Sequence, residues 1–253
     1  MGYNGYLIDL DGTMYNGSEL IETARDFVSE LERKGIPYVF LTNNATKSQE
    51  EAVQKLLDMG VKTSLENMYT SAMATASYIR ENHRGASAYV IGTPSLKKIL
   101  ENAGITLTEK NADLVIMGLD PEVDYGKLKR AALLIGNGAG FIATNPDKRF
   151  PTEEGIIPGS GALQQVLIET TGVRPLIIGK PNASILDGAM GQLGLKKSEV
   201  ALIGDNYDTD IMTGINGGVD TIHVNTGVSP VEEVMKKEAS PTHTIDNLSE
   251  WSV

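Results

Sequence analysis

Two carboxylates stand one residue apart, Asp9 and Asp11, directly after the apolar run Tyr6-Leu7-Ile8 and directly before Gly12-Thr13. Side chains at i and i+2 leave the same face of a strand, so these acids start close together. Like charges held close repel unless a cation or a shared proton compensates. In an open α/β sheet the ligand crevice lies beyond the carboxyl ends of the strands, and both acids would project into it. A strand followed by an Asp-Gly turn is the plainer reading of the same stretch. On these residues alone both readings stand.

Other apolar runs also end in chemistry-bearing residues. Thr42-Asn43-Asn44 supplies neutral hydrogen-bond donors, Gly179-Lys180-Pro181 a fixed positive charge, and Gly204-Asp205-Asn206-Tyr207-Asp208-Thr209-Asp210 further carboxylates. Hard oxygen donors with no His or Cys beside them suit Mg²⁺, which prefers carboxylates, water and phosphate. A lysine, a hydroxyl and a metal converging on an acidic nucleophile describe a site for a phosphoryl group. Aspartate can form an acyl phosphate, and transfer of that group depends on positioning and on neutralising its oxygens. Each residue also has a plainer role. Lys180 would be an exposed loop lysine, Thr42 a strand end, Asn43-Asn44 a turn and Asp210 a helix N-cap. Asn145 and Asp147 flank Pro146 as turn formers. Asp208 faces either the metal or solvent.

Hydrophobic patterning supplies the elements that would carry these residues. A strand through Tyr6 to Ile8 precedes a polar loop and a helix from about Leu20 to Arg33, with Ile21, Ala24, Phe27, Val28 and Leu31 on one stripe and Gly35 as its stop. A strand from Pro37 to Thr42 follows. Ser48 and Glu51 have capping-box spacing for a helix that stops at Gly60, and another helix runs from Ser71 to about Glu81. Further strands are expected at Tyr89 to Gly92, Leu114 to Met117, Phe141 to Thr144 and Leu176 to Gly179. Helices lie between them, and a loop rich in Pro, Asp and Gly spans Asn145 to Gly161. The last part alternates again: a helix from Asn182 to Leu193, a strand from Val200 to Gly204, a helix from Asp210 to Asn216, a strand from Thr221 to Asn225 and a helix from Pro230 to Lys237. Strand–helix alternation of this kind implies parallel sheets with right-handed crossovers. Polar strand ends cluster near the N-terminus and again after Gly179, and the middle carries few. The expected organisation is an α/β fold with a Rossmann-like, doubly wound core from residues 1–80 and 176–253 and an inserted α/β domain over 81–175.

Some motifs are set aside. Gly136-Asn137-Gly138-Ala139-Gly140 precedes a strand, where a dinucleotide loop must follow one. Pro158-Gly159-Ser160-Gly161 lacks the Gly-x-Ser-x-Gly spacing of a nucleophile elbow. His83, His223 and His243 are scattered and are expected to be structural or on the surface. Asp and Glu number 33 against 22 Lys and Arg, a net charge of −11, which argues against nucleic acid as a partner. Small anions remain open, because one lysine, a metal and backbone N–H groups can reverse the field locally. The absence of cysteine removes disulfide and thiolate chemistry and fits a reducing compartment. The N-terminus has no basic region followed by a long apolar one, and no run approaches the roughly 18 apolar residues of a membrane span. The expectation is a cytoplasmic protein with no membrane partner.

The order Asp-x-Asp-Gly-Thr at 9–13, then Thr42, then Lys180, then Gly-Asp-x-x-x-Thr-Asp at 204–210 resembles the haloacid dehalogenase superfamily. The long insert lies between the Thr and the Lys. That placement resembles the NagD-like branch of sugar-phosphate and nucleotide phosphatases, as do Leu41-Thr42-Asn43-Asn44, Gly179-Lys180-Pro181, Ala143-Thr144-Asn145-Pro146-Asp147 and Pro158-Gly159-Ser160-Gly161. The resemblance implies a Mg²⁺-dependent phosphomonoesterase acting on small phosphorylated metabolites, with a core and a mobile cap that closes to exclude water. It implies that Asp9 is the nucleophile and a Mg²⁺ ligand, and that Asp11 is the general acid and then the base. Asp11 would also bind the metal through its backbone carbonyl. It implies that Asp205 is a further ligand, that Thr42, Asn43, Asn44, Lys180 and Asn206 bind phosphate, and that Asp210 orients Lys180 or a metal-bound water. Asn145 and Asp147, with the loop from Asn145 to Gly155, would set specificity. Cap-to-cap homodimers fit that branch. Other functions compete. A dehalogenase has no need of Asp11. A phosphotransferase or mutase of the superfamily would carry its cap between Asp11 and Thr42, where only one helix fits. A phosphate-metabolite binding or regulatory protein without turnover would be free to lose Asp9 or Asp11.

Overall fold

Strand β1 (Gly5–Ile8) is buried at every position, as a strand covered on both faces must be. The chain turns back through a short antiparallel pair, β2 (Tyr15–Asn16) and β3 (Glu19–Leu20). Helix α1 (Glu22–Lys34) buries Ala24, Phe27, Val28 and Leu31, one stripe at helical spacing, and ends at Gly35 with a left-handed φ of 67°. Strand β4 (Tyr38–Thr42), helix α2 (Gln49–Asp58) and strand β5 (Met68–Thr70) follow. The architecture comes from a computed structural model, which describes residues 2–152 and 154–253. Met1 and Glu153, the latter within the stretch read as a loop, lie outside the described residues.

A second unit is then built from α3 (Ser71–Asn82), β6 (Ser87–Ile91), α4 (Pro94–Asn102), β7 (Thr106–Leu107), β8 (Leu114–Met117), α5 (Tyr125–Gly136), β9 (Gly140–Ala143), β10 (Arg149–Thr152), β11 (Gly155–Pro158), α6 (Ser160–Thr171) and β12 (Leu176–Ile177). The chain returns to the first unit with α7 (Ser184–Leu193), β13 (Val200–Gly204), a π-helical turn at Tyr207–Ile211, α8 (Met212–Gly217), β14 (Asp220–Val224), α9 (Val231–Val234) and β15 (His243–Ile245). By compactness one unit is Met1–Thr42, Gln49–Tyr69 and Lys180–Val253, and the other is Asn43–Ser48 and Thr70–Gly179.

The first unit holds a six-stranded sheet in the order β15-β14-β13-β1-β4-β5. β1 pairs in parallel with both β13 and β4, and β13, β14 and β15 continue in parallel. The chain therefore leaves the centre at β1 in one direction and later resumes on the other side of it. That reversal makes the carboxyl end of β1 the switch point, where an open α/β sheet forms its ligand crevice. Tyr6, Ile8, Phe40, Ala201 and Ile203 face one core with Ala24, Phe27, Val28 and Leu31 of α1. The alternate residues Leu7, Leu41 and Leu202 are buried as well and face the opposite side, as the two-residue period requires; α7 packs on β4.

The second unit has its own sheet, β12-β9-β8-β6-β7, parallel in every pairing. Its core sets Tyr89, Ile91, Val115, Met117 and Phe141 against Ala131 and Ile135 of α5 and Leu167 and Ile168 of α6. Both units are thus parallel α/β structures. Several local expectations need correcting. The stretch from Asn145 to Gly161 contains an antiparallel hairpin, with Phe150 opposite Ile157, instead of a continuous loop; Pro158 is tolerated because a two-stranded ribbon leaves edges open. Strand β12 completes the second sheet beside β9 and does not join the first. Helix α3 falls in the second unit. The final helix is only Val231–Val234, and β15 beyond it supplies an edge strand with too few residues to show a period.

Candidate active site

Three strands of the first unit bring their carboxyl ends to the switch point. β1 delivers Asp9, whose N–H donates to Ile203 O of β13 at 2.9 Å. β4 delivers Thr42 and β13 delivers Asp205. Lys180 arrives from the return of the chain into this unit. All four are buried: Asp9 is 6 % exposed, Thr42 3 %, Lys180 2 % and Asp205 0 %. The lysine is therefore no loop residue in solvent.

Lys180 Nζ donates to Asp9 Oδ1, to Asp210 Oδ1 at 2.6 Å and to Leu41 O at 3.0 Å. Both oxygens of Asp210 are engaged, since Oδ2 accepts from Asn206 N at 3.0 Å. Asp210 thus fixes the lysine from behind. It is not the N-cap of its helix. That role belongs to Asn206, whose Oδ1 accepts from Asp208 N at 3.0 Å, so the Asn206 side chain is engaged in its own turn. Asp210 N donates to Asn206 O at 2.8 Å while Ile211 N reaches the same oxygen at 3.4 Å, which widens the first turn to a π-helical one. Such widened turns are frequent at functional sites. Asp208 faces solvent and pairs with Lys237 at 3.2 Å.

Asp205 Oδ1 accepts from Thr13 Oγ1 at 3.2 Å and Oδ2 from Val228 N at 2.6 Å. Oxygens of Asp9, Asp205 and Asp210 lie within 4.8 Å of one another. Three carboxylates against the single ammonium of Lys180 leave two negative charges in a buried place. Burial, then the Asp210 charge, holds the Asp9 carboxyl well above the usual carboxylate range. The same two causes push Asp205 up to about 6. Burial pulls the Lys180 ammonium down, but the Asp210 and Asp9 carboxylates outweigh it and keep it firmly charged. A cluster of hard oxygen donors with two uncompensated charges fits a divalent cation.

Asp11, by contrast, is exposed, and the Tyr15 phenol is within hydrogen-bonding reach of it. Directly after Asp11, Gly12 adopts a φ of 96°, and a Cβ there would stand 2.4 Å from the Asp205 carboxyl carbon. Only glycine meets both demands. Gly12→Ala is therefore expected to displace Asp205 and to lower stability by about 1–3 kcal/mol, the range for a strained backbone position, as measured by denaturant unfolding.

The other expected residues lie in the second unit. Asn43 Nδ2 donates to Asp147 Oδ2 at 3.1 Å, and Asn44 Oδ1 accepts from Thr46 N at 3.0 Å and Thr46 Oγ1 at 2.6 Å. Asn145 is 6 % exposed; its Nδ2 donates to Asn43 O at 2.9 Å and its Oδ1 accepts from Asp147 N at 3.2 Å. These contacts give Asn145 the turn-forming role. Sequence reasoning missed Thr13 as a partner of Asp205, although Asp-Gly-Thr was in view. It also missed Val228, which acts through its backbone N–H and so leaves no side-chain signal.

The family profile described as haloacid dehalogenase-like hydrolase matches residues 6–106, and a second HAD-hydrolase-like profile matches 177–251. The chain is 47 % identical over 249 residues to the 5'-nucleotidase YutF of Bacillus subtilis, covering 98 % of this chain and 97 % of that protein. It belongs to the haloacid dehalogenase-like hydrolases. An acid sugar phosphatase of Staphylococcus aureus is 49 % identical to this hydrolase, with 98 % and 96 % of the two chains covered. Among solved structures, a single mutant of a thermostable NPPase from Geobacillus stearothermophilus superposes with a TM-score of 0.93 at 44 % identity, covering 98 % of each chain. The 4-nitrophenylphosphatase of Thermotoga maritima also gives 0.93, at 34 % identity over 98 % and 95 %. Among the described residues no helix is long and apolar enough to cross a membrane.

Proposed function

We propose that this hydrolase is a Mg²⁺-dependent phosphomonoesterase that releases phosphate from small metabolites, sugar phosphates or nucleoside monophosphates, through a phosphorylated Asp9. The observation that carries the reading is the contrast between its two acids. Asp9 is buried against Lys180, while Asp11, two residues on, is exposed. One is held as a nucleophile and the other stands where a leaving group and water can reach it.

In the first half-reaction an Asp9 carboxylate oxygen attacks phosphorus as the ester P–O bond breaks, and Asp11 gives its proton to the departing alkoxide. In the second, Asp11 takes a proton from water, the water oxygen attacks the phosphoryl group, and inorganic phosphate leaves with Asp9 restored. Lys180 and the Thr42 hydroxyl hold phosphoryl oxygens, and Asp210 keeps the lysine aimed. Asp9, Asp205 and the Asp11 backbone carbonyl would hold Mg²⁺, which when bound neutralises phosphate charge. The inserted unit is the part we assign to selecting the substrate.

The test is release of inorganic phosphate from p-nitrophenyl phosphate and from a panel of sugar phosphates and nucleoside monophosphates, with Mg²⁺ and with chelator. Release that chelator abolishes and Mg²⁺ restores is expected. Release that is indifferent to chelator would remove the metal from the reading. A physical readout accompanies it. Asp205 has a raised pKa in the metal-free fold, so the stability it contributes is present below the unfolded value and fades as pH rises through about 6. Added Mg²⁺ should therefore raise Tm more at about pH 7.5 than at about pH 5.

A further inference from the structure

Asp205 is fixed less by its own strand than by the strap that follows β14, Asn225 to Ser229. Val228 N–H donates to Asp205 Oδ2 at 2.6 Å. Gly227 runs so close that a Cβ there would stand 2.1 Å from the same oxygen. Thr226 Oγ1 donates to Gly12 O at 2.7 Å, and Asn16 Nδ2 donates to Thr226 O at 3.1 Å. Ser229 ties the far end: its N–H reaches Asp205 O at 3.3 Å and its Oγ accepts from Tyr207 N at 2.9 Å.

The remaining polar atom of Ser229, its carbonyl oxygen, lies 2.9 Å from Nε2 of His223. His223 sits on β14 beside Gly204 in the register and is 0 % exposed. A carbonyl oxygen only accepts, so Nε2 carries the proton and donates. Nδ1 is then a bare lone pair, and it is buried with no hydrogen-bond partner. A leucine or valine would fill the same strand position without an unpaired polar atom, which costs free energy when buried. What the imidazole adds over them is a donor at the Nε2 position, on a ring that also stands within hydrogen-bonding reach of the Asp205 backbone.

We infer that His223 is a positioning residue for Asp205: its Nε2–H fixes the Ser229 carbonyl, the strap fixes the Val228 N–H, and that N–H aims the carboxylate at a divalent cation. The inference rests on the reading of Asp205 as a cation ligand. Partners that orient a metal ligand commonly change affinity by about 10–100-fold when removed.

The test is calorimetric titration of MgCl₂ into the full chain, with unliganded Tm recorded for each variant. Glutamine places its amide nitrogen near the Nε2 position, and asparagine places its nitrogen near Nδ1. His223→Leu and His223→Asn should weaken Mg²⁺ binding by about 10-fold, whereas His223→Gln should stay within about two-fold of wild type. A residue that merely packs would lower Tm and leave Mg²⁺ affinity alike in all three, and that result would overturn the inference. If the leucine variant does not fold, the Asn–Gln pair decides, and equal affinities in that pair sink it. Absence of Mg²⁺ binding by the unaltered chain would overturn the cation reading itself, and this inference with it.

Discussion

Asp9→Asn is expected to reduce phosphate release by at least about 10⁴-fold, the scale on which removing a nucleophile acts, while leaving the metal-free fold at least as stable. The amide keeps the shape of the carboxylate, and its oxygen can still accept from Lys180 Nζ. What it lacks is the anionic oxygen that attacks phosphorus in the proposed mechanism. Stability moves the other way for an electrostatic reason. Asp9 is buried, and burial together with the Asp210 charge raises its carboxyl well above the usual range. A raised folded-state value means that the fold prefers the neutral form, so the stability Asp9 contributes is present at low pH and is lost as pH rises through that value. Asparagine imitates the neutral form at every pH. The Tm of the variant in chelator should therefore match wild type at about pH 4 and exceed it increasingly above that. Acid-quenched wild type caught during turnover should yield a phosphorylated peptide containing residue 9, and the variant none. Near-normal turnover by Asp9→Asn would mean that another group attacks phosphorus.

Hydrophobic patterning explains why much of this candidate site was legible in the sequence. Asp9, Thr42 and Asp205 each close an apolar run, and a short run bounded by small polar residues fits a buried parallel strand. Once three such ends are parallel neighbours, their terminal residues must meet, and the strand order places β1 between β4 and β13. Lys180 was legible by type and not by strand: the run before it, β12, pairs with β9 of the other sheet. Which sheet a short strand joins depends on partners far away in sequence, and local pattern carries no such information. β2, β3 and β15 were invisible because two or three residues show no period. The hairpin from Arg149 to Pro158 was hidden by its prolines. His223 was set aside as structural or surface, because one histidine in an apolar strand gives no hint of which nitrogen is used. Val228 could not be found at all, since a backbone N–H belongs to every residue but proline.

Lys180→Met should show the second large effect, in activity and in stability together. Methionine keeps the unbranched bulk of lysine, so packing is largely preserved and the change isolates the charge. That charge lies within hydrogen-bonding distance of Asp9, Asp210 and Leu41 O, and the lysine is 2 % exposed. Without it two carboxylates remain buried and unpaired, a situation that destabilises by about 3–5 kcal/mol. Phosphate release should fall by about 10²–10³-fold, the loss that follows removal of one donor to a developing anion. Arginine is no substitute, because a planar fork cannot occupy the place of a point charge held by three close acceptors. Two further measurements separate the effects. Protonating the abandoned carboxylates removes their repulsion, so urea unfolding of Lys180→Met should show stability recovering as pH falls, opposite to the trend for a group whose folded pKa is depressed. Adding Asp210→Asn should restore much of the stability at neutral pH by removing one buried charge, and should not restore turnover, because the positive charge proposed to hold the phosphoryl oxygens is still missing. Recovery of activity in the double variant would show that Lys180 serves only to neutralise Asp210, and its assigned contact with substrate would have to be withdrawn.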